Sequence, residues 1–266
     1  MAQSIAVASG KGGVGKTSIA VNLALVLRQM GSRVTLLDAD FGMANAHILM
    51  GVNLSPRIEK SLMENGSVED ALTNTAFGVK LLSAGSTALE LLDLEKNDRL
   101  QLIRNVEAIG DETDYLIVDT PAGASDATLA FVAAADHVLL VLVGEPTSFI
   151  DAYTILKAAH LERGVSNFVI VVNMARDRQD ALRHFEQFQK IALQFLDVAL
   201  IFAGHLPISA PLRSSVVARR PLMSNSSKAS GPEGQAFRTL AQKLLNAPAN
   251  APSGIRFFYE NTGKKV

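Results

Sequence analysis

The sequence predicts an α/β fold in which a mostly parallel central sheet is covered by helices on both faces. Three observations point there. Apolar runs of strand length recur along the chain, the stretches between them carry helical spacing, and three of the runs end in a glycine turn or an aspartate. Strands that alternate with helices form parallel crossovers, which bury both faces of the sheet. Ligands of such sheets gather at the carboxyl ends of the strands.

The first run is Ile5-Ala6-Val7-Ala8, and Gly10-Lys11-Gly12-Gly13-Val14-Gly15-Lys16-Thr17 follows it. The octet fits G-x-x-x-x-G-K-[ST], in which glycines let successive backbone N–H groups curl around the phosphates of a nucleotide. Lys16 is expected to reach the β- and γ-phosphates, and Thr17 to ligate Mg²⁺. Ile19, Leu23, Val26, Leu27 and Met30 then recur at three- and four-residue steps. A helix therefore starts at the loop and aims its N-terminus at the anion. Gly31 stands where a helix end needs a left-handed residue.

A second run, Val34-Thr35-Leu36-Leu37, ends in Asp38-Ala39-Asp40-Phe41-Gly42-Met43-Ala44-Asn45. Residues two apart in an extended segment share a face. Asp38 is thus expected in the water shell of the metal and Asp40 beside the attacking water; an Asp-x-Asp also serves turn amides. Residues 79–82 suggest the next strand. Leu116-Ile117-Val118 then closes in Asp119-Thr120-Pro121-Ala122-Gly123. A strand-terminal aspartate downstream of a phosphate loop holds Mg²⁺, and a nearby glycine N–H senses the γ-phosphate. Residues 138–143, 168–172 and 199–202 complete the predicted strands.

The chain has 266 residues, enough for one large α/β domain with a full core. We expect a single domain over residues 1–245, followed by a linker and tail over 246–266. Although 48% of residues are apolar, no uninterrupted run approaches the length of a membrane span. Met1 lies next to the first strand, leaving no room for a signal segment, so a cytoplasmic protein is expected. Cysteine is absent, which excludes thiolate metal sites, iron–sulfur scaffolds and cysteine nucleophiles. With 25 basic against 26 acidic residues, the chain lacks the charge excess of a dedicated nucleic-acid binder. The five histidines, His47, His137, His160, His184 and His205, show no metal-ligand spacing.

Taken together, these motifs resemble the MinD/ParA group of deviant Walker A ATPases, and within it the flagellar-number regulators FlhG or FleN. The match rests on Lys11 inside the loop, residues 38–45 with Leu49-Met50-Gly51, residues 119–123, and Glu145-Pro146-Thr147-Ser148-Phe149-Ile150-Asp151-Ala152-Tyr153. Residues 172–175, 195–200 and 227–230 extend it over nearly the whole chain. The resemblance implies a P-loop NTPase of the SIMIBI class that hydrolyses ATP with Mg²⁺. It implies a homodimer with two ATP molecules trapped face to face.

On that resemblance, Gly10, Lys11, Gly12, Gly13, Val14, Gly15, Lys16, Thr17 and Ser18 hold the phosphates, joined by Asn45 and Gly123. Asn173 and Pro207 hold the adenine. Lys11, Lys16 and Asp40 serve catalysis, and Thr17, Asp38 and Asp119 hold the metal. Lys11 would cross to the partner's phosphates; read without the family pattern, it is a solvated loop lysine. An Asn amide offers both a donor and an acceptor to an adenine edge.

The implied partners are a second copy of the chain, a flagellar transcription activator of the FleQ type, FlhF or flagellar switch proteins. Some relatives stimulate FlhF through an N-terminal extension, whereas this chain begins almost at its first strand. In the tail, Ile255, Phe258 and Tyr259 fall at helical spacing ahead of Lys264 and Lys265. Residues 255–266 therefore suit either a peripheral membrane contact or packing onto the domain's own surface. Two alternative functions share the core. One is a DNA-partitioning ATPase using Arg213, Arg219 and Arg220, and the other is a small-molecule ligase or kinase, for which no acceptor constellation is present.

Overall fold

Strands that are apolar on both sides lie in the middle of one sheet, because both faces of a parallel sheet are covered. The computed structural model describes residues 2–41, 44–54, 67–83, 96–251 and 254–259. In chain order the described elements are β1 (Gln3–Ala8), α1 (Lys16–Gln29), β2 (Val34–Asp38), α2 (Ala46–Leu49), α3 (Val68–Ala71), β3 (Thr73–Asn74), β4 (Lys80–Ser83) and α4 (Lys96–Asn105). A 3₁₀ segment (Val106–Glu112) follows, then β5 (Tyr115–Asp119), α5 (Asp126–Ala134), β6 (His137–Val143), α6 (Pro146–Arg163), β7 (Asn167–Ala175) and α7 (Arg178–Leu193). The chain continues with β8 (Ala199–Pro207), α8 (Ala210–Val217), a 3₁₀ turn (Leu222–Ser224), α9 (Ser226–Ala229) and α10 (Pro232–Leu245).

The sheet has eight strands in the order β3-β4-β2-β5-β1-β6-β7-β8. Every pairing is parallel except β3 with β4. Side chains alternate between two cores. Ala6, Val118, Leu140 and Ile170 face α5, α6 and α7, while Ile5, Ile117, Leu139 and Val169 face α1 and α10. Each predicted strand is present, and β7 and β8 run several residues further than their apolar runs. β3, two residues long, has no such run and was not predicted.

The topology brings β1, β2, β5, β6, β7 and β8 to one edge with their carboxyl ends together. The turn after β1, Asp38 at the end of β2 and Asp119 at the end of β5 meet there, as do Asn173 near the end of β7 and Pro207 at the end of β8.

The described part of the C-terminal region packs onto the domain, the second of the two readings given for residues 255–266. Asn250 clamps the opposite edge of the sheet: its amide donates to the Asp136 carbonyl at 2.8 Å, and its Oδ1 accepts from the Ser166 and Asn167 amides at 3.0 and 2.8 Å. Residues 254–259 are not helical. Phe257 is fully buried, Phe258 is nearly so, and Ile255 packs against the same core. Arg256 pairs with Asp136, which also accepts from the Ser4 amide and hydroxyl. Phe257 and Phe258 are thus turned inward, because burying them gains more than exposing them on a polar tail, whereas Tyr259 stays exposed. Lys264 and Lys265 lie outside the described residues, as do Gly42 and Met43. Among the described residues, no helix is long and apolar enough to cross a membrane.

Candidate nucleotide site

The loop after β1 takes its shape from glycine. Gly13 and Gly15 have φ of +78° and +88°, a left-handed conformation that side chains resist. Gly15 caps α1, whose first turn carries no acidic residue, so its free N–H groups and dipole face the cleft unopposed. A cleft of about 450 Å³ is lined by this loop together with Lys11, Lys16, Thr17, Ser18, Asp40 and Asn45. Among the predicted phosphate contacts, Gly10, Val14 and Gly123 do not line this cleft. Val14 is engaged in the core. Its side chain is buried in the core, and its carbonyl accepts from Asn173 Nδ2 at 2.7 Å.

Below the loop lie the buried charges. Lys16 Nζ is 2.6 Å from Asp119 Oδ1. Asp119 Oδ2 is buried without a hydrogen-bond partner. Asp38 and Asp119 are register partners on adjacent strands. Burial, and then the Asp119 charge, push the Asp38 carboxyl up to about 7, although the Ala46 amide donates to its Oδ2 at 2.9 Å. Burial also raises Asp119, with Lys16 and the Thr17 hydroxyl opposing it. Two carboxylates, one open lone-pair site and a neighbouring threonine fit a hard divalent cation with oxygen ligands. Asp38, Asp119 and Thr17 would hold Mg²⁺ here.

A second cavity of about 520 Å³ adjoins the first and shares Gly15, Ser18 and Val216 with it. Its walls include Asn173, Pro207 and the α8 residues Leu212 and Val216. Asn173 Nδ2 is occupied by the Val14 carbonyl, which leaves the buried Oδ1 unpartnered. A lone buried acceptor beside an apolar cavity suits a base with an exocyclic amino group. The close approach of Asn173 depends on Gly15, because a Cβ there would lie 2.5 Å from Asn173 Nδ2.

Two expected contacts are engaged otherwise in this structure. The Gly123 amide, expected to sense the γ-phosphate, donates to the Ser9 carbonyl at 2.9 Å. Lys11 Nζ pairs with Glu145 Oε2 of the same chain at 3.2 Å, both side chains being exposed at the rim. Asp40 stands half-buried in the cleft, with its amide 3.4 Å from Asp38 Oδ1. Asn45 precedes α2 and faces the cleft without capping that helix. Arg213 lines the base cavity, whereas Arg220 lines a separate hollow with Lys228.

Sequence reasoning missed α8 as a wall of the base cavity. Its start was nonetheless legible: Ser209 accepts from the Leu212 amide as an N-cap, with Pro211 in the first turn.

The fold, the phosphate loop and the paired cavities define a nucleotide-binding protein of the P-loop class. Residues 1–245 match the ParA family model, described as NUBPL iron-transfer P-loop NTPase; the chain belongs to the ParA/MinD family of ATPases, which use ATP and Mg²⁺. It is similar to the antiactivator FleN of Pseudomonas aeruginosa, with 38% identity over 262 residues, covering 97% of this chain and 92% of that protein. It is 29% identical to the flagellum site-determining protein YlxH of Helicobacter pylori, covering 82% of this chain and 74% of that one. Its fold is that of the septum site-determining protein MinD complexed with Mg-ADP from Pyrococcus horikoshii: the TM-score is 0.74 at 23% identity, covering 91% and 96% of the two chains.

Proposed function

We propose that the chain is an ATP-driven switch that regulates flagellar number, placement or gene expression. Binding of MgATP closes two copies face to face, the dimer presents a surface to a flagellar protein, and slow hydrolysis resets it. The observation that carries this reading is Lys11, a cation that belongs to the phosphate loop yet stands exposed at the rim of the cleft. Held there by an ion pair that solvent weakens, it can be redirected to a second copy's phosphates. Such a charge-assisted contact weakens once the γ-phosphate leaves, which links dimerisation to the nucleotide.

Within one copy, Lys16 exchanges Asp119 for phosphate oxygens, the α1 N-terminus holds the remaining charge, and Asn173 Oδ1 accepts from the adenine amino group. Bound Mg²⁺ would neutralise charge on the β- and γ-phosphates. Asp40 orients the attacking water. The similarity to FleN and YlxH supports a flagellar target, and candidates are an activator of the FleQ type, FlhF or switch proteins in the cytoplasm.

Light scattering of the wild type, Lys11→Ala and Asp40→Ala with MgATP tests the reading. The wild type should dimerise, Lys11→Ala should remain monomeric, and Asp40→Ala should stay dimeric while turnover is lost. Normal dimers of Lys11→Ala would refute it. Asp40→Ala used as bait in cytoplasm should enrich the flagellar partner.

A further inference from the structure

Phe41 follows Asp40 directly, and its ring points away from the cleft. It meets Phe131 of α5 edge-on, with centroids 6.5 Å apart and planes at 65°. Phe131 also stacks on Phe257, with centroids 6.4 Å apart and planes at 6°. All three rings are buried, Phe131 and Phe257 completely. Both separations are those of paired aromatic rings in contact. A continuous path of packed rings thus joins the residue after Asp40 to the C-terminal segment.

The helix at the centre of this path touches the second switch segment as well. Thr128 of α5, one turn before Phe131, donates to the Pro121 carbonyl at 3.3 Å, in the turn that follows Asp119. The far end of α5 is held by the tail, since the Phe257 amide donates to the Ala134 carbonyl at 3.3 Å. Arg256 ties the same segment to Asp136, which accepts from Ser4 at the start of β1. The C-terminal segment therefore clasps a helix that contacts both Phe41, next to Asp40, and Pro121 in the Asp119–Gly123 turn.

We propose that Phe257 is a positioning residue for ATP hydrolysis, acting through Phe131 and Phe41 to hold Asp40 against its water. The inference rests on the reading of Asp40 given above. None of the three rings lines the phosphate cleft or the base cavity, so the path bears on the placement of one carboxylate and not on nucleotide affinity. Misplacing a reacting group by a fraction of its working distance is enough to slow a reaction strongly.

Phe257→Ala should lower kcat about tenfold with KM for ATP changed less than about twofold. It should also speed hydrogen exchange at the Ala46 amide, which is bonded to Asp38, in protein without nucleotide. Phe258→Ala is the comparison: Phe258 is a buried aromatic of the same segment, packed on Gly110 and outside the path. It should lower the melting temperature while leaving kcat and Ala46 exchange near wild type. Equal effects of the two variants on kcat and on exchange would overturn the proposal, as would a Phe257→Ala enzyme with wild-type kcat. If the alanine variant does not fold, Phe257→Leu decides, and a leucine variant that matches the wild type in both readouts overturns it. Asp40→Ala is assayed alongside. Should it turn over normally, the reading of Asp40 fails, and the path is judged on Ala46 exchange alone, where no difference between Phe257→Ala and wild type overturns it.

Discussion

The Lys16 ammonium lies 2.6 Å from Asp119 Oδ1, and both side chains are buried. Each group answers the other's charge in a place where water cannot. Phosphate that draws Lys16 away frees Oδ1 in addition to the already open Oδ2, so the two binding events are linked. Lys16→Ala leaves Asp119 buried without a counter-charge, which should cost about 3 kcal/mol of stability. The double variant Lys16→Ala, Asp119→Asn should recover most of it, measured by urea unfolding. Neither variant should bind MgATP.

Asp38 sets a pH dependence with a definite sign. Its folded value of about 7 lies above the ordinary aspartate range near about 4. The folded protein holds this proton more tightly than the unfolded chain. Its stabilising contribution is full below about pH 4 and is lost as pH rises through about 7. Asp38→Asn should remove that dependence and melt above the wild type at about pH 8. Mg²⁺ affinity should run the opposite way in the wild type, weakening as pH falls through about 7, because a protonated carboxyl is a poor metal ligand. Melting curves and metal titrations across that window check both.

Glu145 and Lys11 separate a rim contact from an essential one. An ion pair this exposed contributes about 0–1 kcal/mol. Glu145→Gln should therefore leave the melting temperature unchanged, whereas Lys11→Ala should abolish ATP-dependent dimerisation without affecting the fold. A large loss of stability in Glu145→Gln would show that the pair does more than its exposure allows.

Asn173 should set the choice of base. Asn173→Ala removes both the bond to the Val14 carbonyl and the buried acceptor, and it should weaken ATP binding by about tenfold or more while narrowing the preference for ATP over GTP. Gly15→Ala meets Asn173 Nδ2 and must also adopt a φ of +88°, so it should lose nucleotide binding altogether. Competition titrations with labelled ATP measure each.

The legible parts were those with a spacing code. Eight consecutive residues announced the loop, and apolar runs ending in Asp38 and Asp119 announced two strands that prove to be adjacent and in register. The base cavity was half legible: Asn173 stands at the end of an apolar run, but Leu212 and Val216 of α8 come from a region without periodic signal. For residues 255–259 the sequence left two readings open, a membrane contact and packing onto the domain, and the structure shows the packing. Their helical spacing is real, yet Phe257, which does not fit that spacing, decides the outcome by filling the space beside Phe131. Spacing ranks faces of a helix, while burial depends on which cavity the rest of the chain leaves open. The pairing of Lys11 with Glu145 joins residues far apart in sequence, and only the turn after β6 brings them together.

Gly10 lies against the backbone of α6 so closely that a Cβ would overlap Asp151. The first residue of the loop thus bears on a rod of 18 residues, roughly 27 Å from end to end. With no side chain between them to deform, the contact is stiff. Since Ala152, Ile155, Leu156 and Ala159 of that rod are buried in the core, the strand–loop turn that receives phosphate is braced by the body of the molecule and not by the loop's own side chains.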